Sequence, residues 1–249
     1  MTDTNTKINN INDKPTSTDL ERLFEAGAHI GHSKVRRNPK MSKYIFGIRN
    51  NIEIFNLQLT ESKLKEAEGY MYELGKNKKL VLFVGSKPAA RKYVSMAAKR
   101  LGMPCVTERW LGGVLTNFKA MEARLAYWQN LEREVNDGGL DKYVKKERIL
   151  KLTELRKLTR MFGGLRSLTR IPDAIVIIDP KEENTATQEA RKKNLKIIAL
   201  LNNDCNPEEI AYPIPANDDS AEVISVILDH LTNAYETGKR TNTEPSIIV

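Results

Sequence analysis

Few residues of this 249-residue chain stand at spacings that could support catalysis or metal binding. His29 and His32 are three residues apart, but a structural zinc site needs four ligands, usually in paired clusters, and both cysteines are isolated. Cys205 could be combined with Asp204 and His230 in a nucleophilic triad, yet no nucleophile-elbow sequence surrounds it. The sequence therefore predicts no catalytic residue and no metal site.

A third candidate is a phosphate-binding turn at residues 85–87, where Gly-Ser-Lys follows an apolar run and opens a helix. The free amides at such a helix start bind phosphate in many α/β proteins. Here the spacing departs from both the phosphate-loop and the dinucleotide-binding sequences. A turn with a serine cap is the favoured interpretation, and neither a cofactor nor a small-molecule substrate is predicted.

A basic loop just downstream of His32 offers chemistry of a different kind. Its cations stand beside an aromatic residue and around a proline that stiffens the backbone, an arrangement that suits phosphate contacts with one stacking surface. A solvated basic loop is the structural alternative. His32 is predicted to donate hydrogen bonds to RNA or to stack on it. The residues of the loop are Arg36, Arg37, Lys40, Lys43 and Tyr44.

The most informative stretch is residues 107–118, Thr-Glu-Arg-Trp-Leu-Gly-Gly-Val-Leu-Thr-Asn-Phe. Its glycine pair indicates a sharp bend or a close backbone approach, and Thr116 or Asn117 is placed to cap a following helix. A second glycine pair at residues 163–164 predicts a paired hinge. Arg109, Trp110 and Asn117 complete the predicted RNA-binding set.

The overall charge points to the same class of partner. The chain carries a formal net charge of +8 with a pI near 9.3, which favours a polyanion such as RNA, DNA or an anionic membrane over solubility alone. No Lys or Arg occurs at residues 197–238, although that stretch holds eight carboxylates. A cationic end and an acidic end give the molecule a preferred orientation on a polyanion, and we expect nucleic acid.

Several features bear on location. Residues 1–17 are polar and lack an apolar run, so they predict a disordered leader rather than a signal peptide. The apolar runs, such as residues 174–178, are too short to cross a bilayer. Two widely separated cysteines suggest free thiols in a reducing compartment. The sequence predicts a cytoplasmic protein without a membrane partner.

The elements that must position these residues alternate along the chain. Apolar runs bounded by glycine or turn residues are typical of strands buried on both faces of a parallel sheet, and amphipathic helices separate them. This alternation predicts an α/β, flavodoxin-like doubly wound parallel sheet. The predicted strands are 80–85, 105–107, 174–178, 196–201 and a piece around 214, and the predicted helices include 60–76, 182–194 and 219–235. A hairpin is also predicted around Asn50 and Asn51.

One segment interrupts the alternation. Residues 117–162 contain neither a predicted strand nor a proline, and two apolar stripes at helical spacing flank a glycine-rich break. We expect an inserted antiparallel helical hairpin that projects from a discontinuous sheet domain, residues 18–116 and 163–236, rather than two helices covering the sheet. Residues 237–249 are predicted to be a flexible tail.

Five sequence blocks spread over residues 18–236 together resemble one family. They are 23–32 (Leu-Phe-Glu-Ala-Gly-Ala-His-Ile-Gly-His), 38–41, 44–47, the glycine-pair segment at 107–118, and 212–219 (Tyr-Pro-Ile-Pro-Ala-Asn-Asp-Asp). In this order they closely resemble the S-two family of small-subunit ribosomal proteins. At residues 201–205 the chain reads Leu-Asn-Asn-Asp-Cys, where many bacterial members have Asp-Thr-Asn before the cysteine.

The resemblance implies a flavodoxin-like sheet with an inserted helical coiled coil, and a structural, non-catalytic constituent of the ribosome. It further implies ribosomal RNA as a partner, together with other small-subunit proteins, among them the large multi-OB-fold ribosomal protein. The alternative from the residues is a flavodoxin-like enzyme acting on a phosphorylated small molecule, against which stand the missing phosphate-loop spacing and the absence of a convergent acid–base set.

Overall fold

A computed structural model of the protein describes residues 19–241. The helices are α1 (Asp19–Glu25), α2 (Leu57–Lys76), α3 (Pro88–Leu101), α4 (Phe118–Asn136), α5 (Lys145–Phe162), α6 (Asn184–Lys192) and α7 (Ala221–Thr241). The strands are β1 (Ile30–Ser33), β2 (Ile45–Arg49), β3 (Ile52–Phe55), β4 (Val81–Val84), β5 (Cys105–Val106), β6 (Ala174–Ile178), β7 (Lys196–Leu201) and β8 (Tyr212–Pro215). The predicted leader at 1–17 lies outside the described residues.

The main sheet confirms the predicted α/β class. Its five parallel strands stand in the order β5-β4-β6-β7-β8. The chain thus places β5 on one side of β4, and then β6, β7 and β8 in turn on the other side. Every residue of β4 and β6 is buried, because helices cover both faces of the sheet. In such sheets the functional crevice lies at the carboxyl ends of the strands where the order reverses, here between β4 and β6.

Two apolar cores flank the sheet, and successive residues of β4 alternate between them. Val81 and Phe83 pack with α2, α3 and α7, whereas Leu82 and Val84 pack with the roots of α4 and α5 and with α6. Helices α2 and α7 approach unusually closely. A Cβ on Gly75 would lie 2.0 Å from the Tyr235 carbonyl oxygen, so only glycine permits this crossing.

A second, antiparallel sheet of order β1-β3-β2 lies near the amino terminus. The predicted hairpin forms its β2–β3 part, with Asn50 and Asn51 both at positive φ. Strand β1 was not predicted. It pairs through Ile30 with Ile54 and is only four residues long, which is too short for an alternating pattern to be visible.

The inserted segment consists of α4 and α5, which occupy the interval between β5 and β6. Their contacts run in opposite directions: Trp128 Nε1 donates to Thr159 Oγ1 at 3.0 Å, and Lys151 Nζ donates to Glu134 Oε2 at 2.9 Å. The pair is therefore antiparallel, while its projection and coiled-coil geometry remain predictions. Trp128 is fully buried in the core that includes Leu82, so the root of the insert packs on the sheet.

At the carboxyl end, α7 continues through Thr241. Residues 237–241 are therefore helical and not part of a flexible tail as predicted, and the rest of that predicted tail lies outside the described residues. Within residues 19–241, no helix is both long and apolar enough to cross a membrane.

Candidate nucleic-acid interface

The glycine-pair segment forms a loop between β5 and α4 that wraps around a buried side chain, the carboxylate of Glu189. One carboxylate oxygen accepts from Trp110 Nε1 at 3.1 Å and from the Gly113 amide at 2.7 Å. The other accepts from the Leu115 amide at 3.1 Å, the Thr116 amide at 3.0 Å and the Thr116 hydroxyl at 3.0 Å. Gly113 has φ +96°, a conformation that favours glycine and lets its amide point inward.

This arrangement determines the charge state of Glu189. Burial alone would raise the pKa of its carboxyl, but the hydrogen bonds from Gly113, Trp110 and Thr116 hold that pKa below its ordinary value. Glu189 was not among the predicted site residues. The available signal was a single acidic residue among the alanines of α6, the kind of position that is buried only when its charge is satisfied.

The three residues of this loop that were predicted to bind RNA lie in different environments. The indole of Trp110 is 7% exposed and hydrogen-bonded to Glu189, so it has no open face on which a base could stack. Arg109 and Asn117 are exposed on either side of the Glu189-bonded stretch. Asn117 stands at the N-cap of α4 without a side-chain capping bond, and the Thr116 hydroxyl is turned inward to Glu189.

The predicted basic loop also divides into two groups. Arg37 Nη1 lies 3.1 Å from the Glu53 carboxylate, which is fully buried, and the Lys40 ammonium pairs with Glu208. These two cations neutralise acids of the protein itself. Arg36 and Lys43 are exposed, and Lys43 lies 5.1 Å from the centre of the Tyr44 ring, which is itself buried.

His32 belongs to a polar network that ties β1 to the carboxyl end of β7. Its amide donates to Asn202 Oδ1 at 3.1 Å, and its carbonyl accepts from Asn203 Nδ2 at 3.1 Å. Asn203 Nδ2 also donates to the buried Glu53 at 2.8 Å. Asn202 and Asn203 thus join the small sheet to the main one. The ring of His32 is only partly exposed, with Nδ1 3.6 Å from Asp219.

Lys87 fills the crevice between β4 and β6 where a doubly wound enzyme would bind its ligand. Its ammonium lies 2.7 Å from Asp179, 3.1 Å from Asp218 and 2.8 Å from Asp219. Burial alone would lower the pKa of Lys87, but these carboxylates raise it well above its ordinary value. Burial and the neighbouring charge of Asp179 raise the pKa of Asp218 to about 6.

In the same crevice, one histidine and two carboxylates of the described residues lie close together. His32, Asp218 and Asp219 offer three atoms within 4.8 Å of one another. The Lys87 ammonium bonds both of these carboxylates and supplies a positive charge among them. The nearby amide of Ser86, in the candidate phosphate-binding turn, donates instead to Glu183 at 2.7 Å.

The residues of the candidate nucleophilic triad do not converge. Cys205 is buried, and burial together with the charges of Asp179 and Asp204 raises the pKa of its thiol, which makes it a poor nucleophile. His230 lies on α7, where its Nδ1 is 2.6 Å from Glu68 of α2.

Part of the cationic surface of α5 is likewise paired within the protein. Glu134 accepts from Lys151 and also lies 2.9 Å from Lys142, while Arg160 donates to Glu108 at 2.8 Å. The exposed remainder of the helix still presents positive charge toward solvent, from Lys145, Lys146, Arg156 and Lys157.

The fold and this site define a doubly wound α/β protein whose ligand crevice and glycine loop are both filled by its own side chains, with exposed arginines around them. The family model described as ribosomal protein S2 matches residues 23–238, and the chain belongs to that family. It is a structural protein of the small ribosomal subunit, and the enzyme alternative is not supported.

Two curated relatives show how far the similarity extends. The small ribosomal subunit protein uS2 of Dictyoglomus turgidum is 44% identical over 220 residues, covering 88% of this chain and 89% of the relative. The uS2 protein of Dictyoglomus thermophilum is 43% identical over the same shares of both chains. The family-model match, residues 23–238, includes the main sheet, the inserted helices and both candidate loops.

Proposed function

We propose that this chain binds small-subunit ribosomal RNA through the exposed arginines and the asparagine of its two loops, Arg36, Arg109 and Asn117, with Lys43 beside them. The observation that carries the proposal is the division of cations between two roles. Arg37 and Lys40 neutralise carboxylates of the protein, whereas Arg36 and Arg109 have no carboxylate partner within residues 19–241. An arginine that is not paired with a carboxylate of the protein is available to bind a phosphate of the RNA.

His32 and Trp110 support the interface from behind in this proposal. His32 fixes the start of the basic loop through its backbone bonds to the asparagines of β7. Trp110 fixes the glycine loop through Glu189. Both were predicted to touch RNA directly, and their burial favours the indirect role.

The salt dependence of RNA binding tests the proposal. Each phosphate contact releases condensed counterions, so replacing Arg36 and Arg109 together by alanine should lower the slope of log K against log salt by about two. Affinity for small-subunit rRNA measured between low and moderate salt gives this slope. Arg191→Ala is the matched control, because Arg191 is exposed but paired with Glu209 at 2.6 Å. A double variant whose slope equals that of the parent would remove these arginines from the RNA surface.

Neighbouring ribosomal proteins are the second class of partner in this proposal, with the large multi-OB-fold ribosomal protein as the particular one expected. The small sheet supports it, since the side chain of Phe46 is 78% exposed and Ile48 follows it two residues later on the same strand, also exposed. Exposed apolar side chains of this kind are the groups that a protein partner would cover. Phe46→Ser should weaken binding of that protein in a pairwise assay, and unchanged binding would exclude this face.

A further inference from the structure

One acidic side chain of α6 controls the shape of the loop that carries Arg109 and Asn117. We propose that Glu189 is a positioning residue for RNA binding: its carboxylate fixes the backbone between Trp110 and Thr116 and so sets where Arg109 and Asn117 meet the RNA. The inference rests on the proposed function, because it assigns a role to a residue that cannot itself reach RNA.

The bonding pattern accounts for this control. Five donors converge on the two oxygens of Glu189, from the side chains of Trp110 and Thr116 and from three backbone amides. The donors lie before, within and after the glycine pair, so the turn is held at its middle and at both ends. Arg109 immediately precedes the first anchored residue, and Asn117 immediately follows the last one.

Only a carboxylate satisfies this set of donors. An amide side chain of the same shape has one acceptor oxygen and one NH₂ group that donates. In Glu189→Gln, whichever way the amide turned, its NH₂ would face two or three of the loop donors. Converging backbone amides form an anion-binding concavity, and here the anion comes from the protein itself. A phosphate of RNA therefore has no place inside the loop and meets the exposed side chains that flank it.

A second buried carboxylate provides a matched control. Glu183 stands at the N-cap of α6, six residues from Glu189, and accepts a hydrogen bond from the Ser86 amide at 2.7 Å. It makes no bond to the glycine loop within residues 19–241. Glu183→Gln thus changes a buried carboxylate of the same segment without removing a hydrogen bond to the loop that carries Arg109.

A double-mutant cycle between Glu189 and Arg109 tests the proposal. The affinity of the full-length chain for small-subunit rRNA is measured for the parent, Glu189→Gln, Arg109→Ala, the double variant and Glu183→Gln. At about 0.1 M salt the loss of one phosphate contact should weaken binding roughly five- to tenfold. We expect Glu189→Gln to weaken binding by a similar factor. The affinity of the double variant should be within about twofold of that of whichever single variant binds rRNA less tightly. Glu183→Gln should bind rRNA like the parent.

The other outcomes are distinct. If the affinity of the double variant fell by the product of the two single losses, Glu189 and Arg109 would act independently. That result would overturn the positioning role of Glu189 but would not contradict the proposed RNA surface. Unchanged binding in Arg109→Ala alone would contradict the proposed RNA surface at this loop and overturn the positioning role with it. Equal losses in the Glu183 and Glu189 variants would show a general stability effect and would also overturn it.

A second variant covers the case in which Glu189→Gln does not fold. Trp110→Phe combined with Thr116→Val removes two of the five donors and leaves the carboxylate in place. This variant should lose hydrogen-exchange protection at the amides of Gly113 and Leu115 and should show the same non-additivity with Arg109→Ala. Weakened RNA binding with full amide protection would contradict positioning through the loop.

Discussion

Gly112 and Gly113 are adjacent but face different steric demands. Gly113 has φ +96°, a region that side chains with a Cβ rarely adopt, whereas Gly112 lacks a positive φ and a Cβ added to it would meet no atom within 4 Å among the described residues. Valine at position 113 should therefore cost about 1–3 kcal/mol of unfolding free energy through backbone strain, while valine at 112 should be nearly neutral.

Thermal or denaturant unfolding of the two variants measures this difference, and each variant is the control for the other. Equal melting of Gly112→Val and Gly113→Val would show that the conformation of the turn does not depend on the glycine. A Gly112→Val protein that melts like the parent but binds rRNA weakly would indicate instead that RNA approaches the backbone at this point.

Individual contacts were the least predictable part of the molecule. The sequence places Arg36, Arg37 and Lys40 in one basic loop, but it does not show that Glu53 pairs with Arg37 or that Glu208, 168 residues away, pairs with Lys40. Only the tertiary fold brings such partners together. The same holds for Trp110, whose burial depends on a glutamate 79 residues away.

At the scale of whole elements, the two glycine pairs at the ends of the insert have similar sequences but different structural roles. Gly113 is needed for its dihedral angle, whereas a Cβ on Gly164 would lie 2.3 Å from the Cys105 carbonyl oxygen. The second pair thus serves close packing of the returning chain on β5. A paired hinge was a reasonable prediction from composition, but the two ends of the insert meet different physical demands.

We expect that only the distal half of the insert can be removed without destabilising the sheet domain. Met121, Leu125 and Trp128 of α4 belong to the core that includes Leu82 and Ile175. Replacing residues 131–153 by a short Gly/Ser linker removes the distal half and should leave cooperative unfolding close to that of the parent. Replacing all of 118–161 also removes the buried root, so we expect a substantial loss of stability.

Urea unfolding of the two deletion proteins tests this distinction. A full deletion as stable as the parent would mean that the root packs too weakly to matter. Loss of cooperativity in the distal deletion would mean that the outer halves of α4 and α5 stabilise the sheet domain.

The elements themselves were largely predictable, because strands buried on both faces leave continuous apolar runs and the helices leave periodic ones. Strands β6 and β7 occur at the predicted residues 174–178 and 196–201. Helix α2 begins earlier than predicted because Asn56 caps it, with its side chain accepting from the amides of Gln58 and Leu59. Strand β1 was missed since its pairing with β3 is a long-range property.

For the molecule as a whole, His230 links the first helix to two others. Its ring contacts Glu68 of α2 at 2.6 Å and Asp19 of α1 at 3.9 Å. The hydrogen bond with Glu68 and the charge of Asp19 raise the pKa of His230, while its burial and Arg22 oppose this. The folded state therefore binds the proton more tightly than the unfolded state does.

The sign of the pH effect follows from this linkage. The contribution of His230 to stability is fully present below the unfolded pKa of about 6.5 and is lost as the pH rises through the higher folded value. Unfolding free energies at a series of pH values should thus fall more between mildly acidic and alkaline pH in the parent than in His230→Gln. Parallel pH profiles for the two proteins would exclude this linkage.

The close crossing of α2 and α7 constrains the order in which the protein can be completed during synthesis. The apolar face of α2 is made early, but its partners Ile227, Leu231 and Tyr235 are translated more than 150 residues later. Strand β1 likewise lacks one of its hydrogen-bond partners until Asn202 has been translated, because the His32 amide donates to the Asn202 side chain. A nascent chain lacking α7 therefore exposes an unfinished core, and closing such long loops is slow. We therefore expect a newly made chain to complete its core only after α7 has been released and has docked on α2.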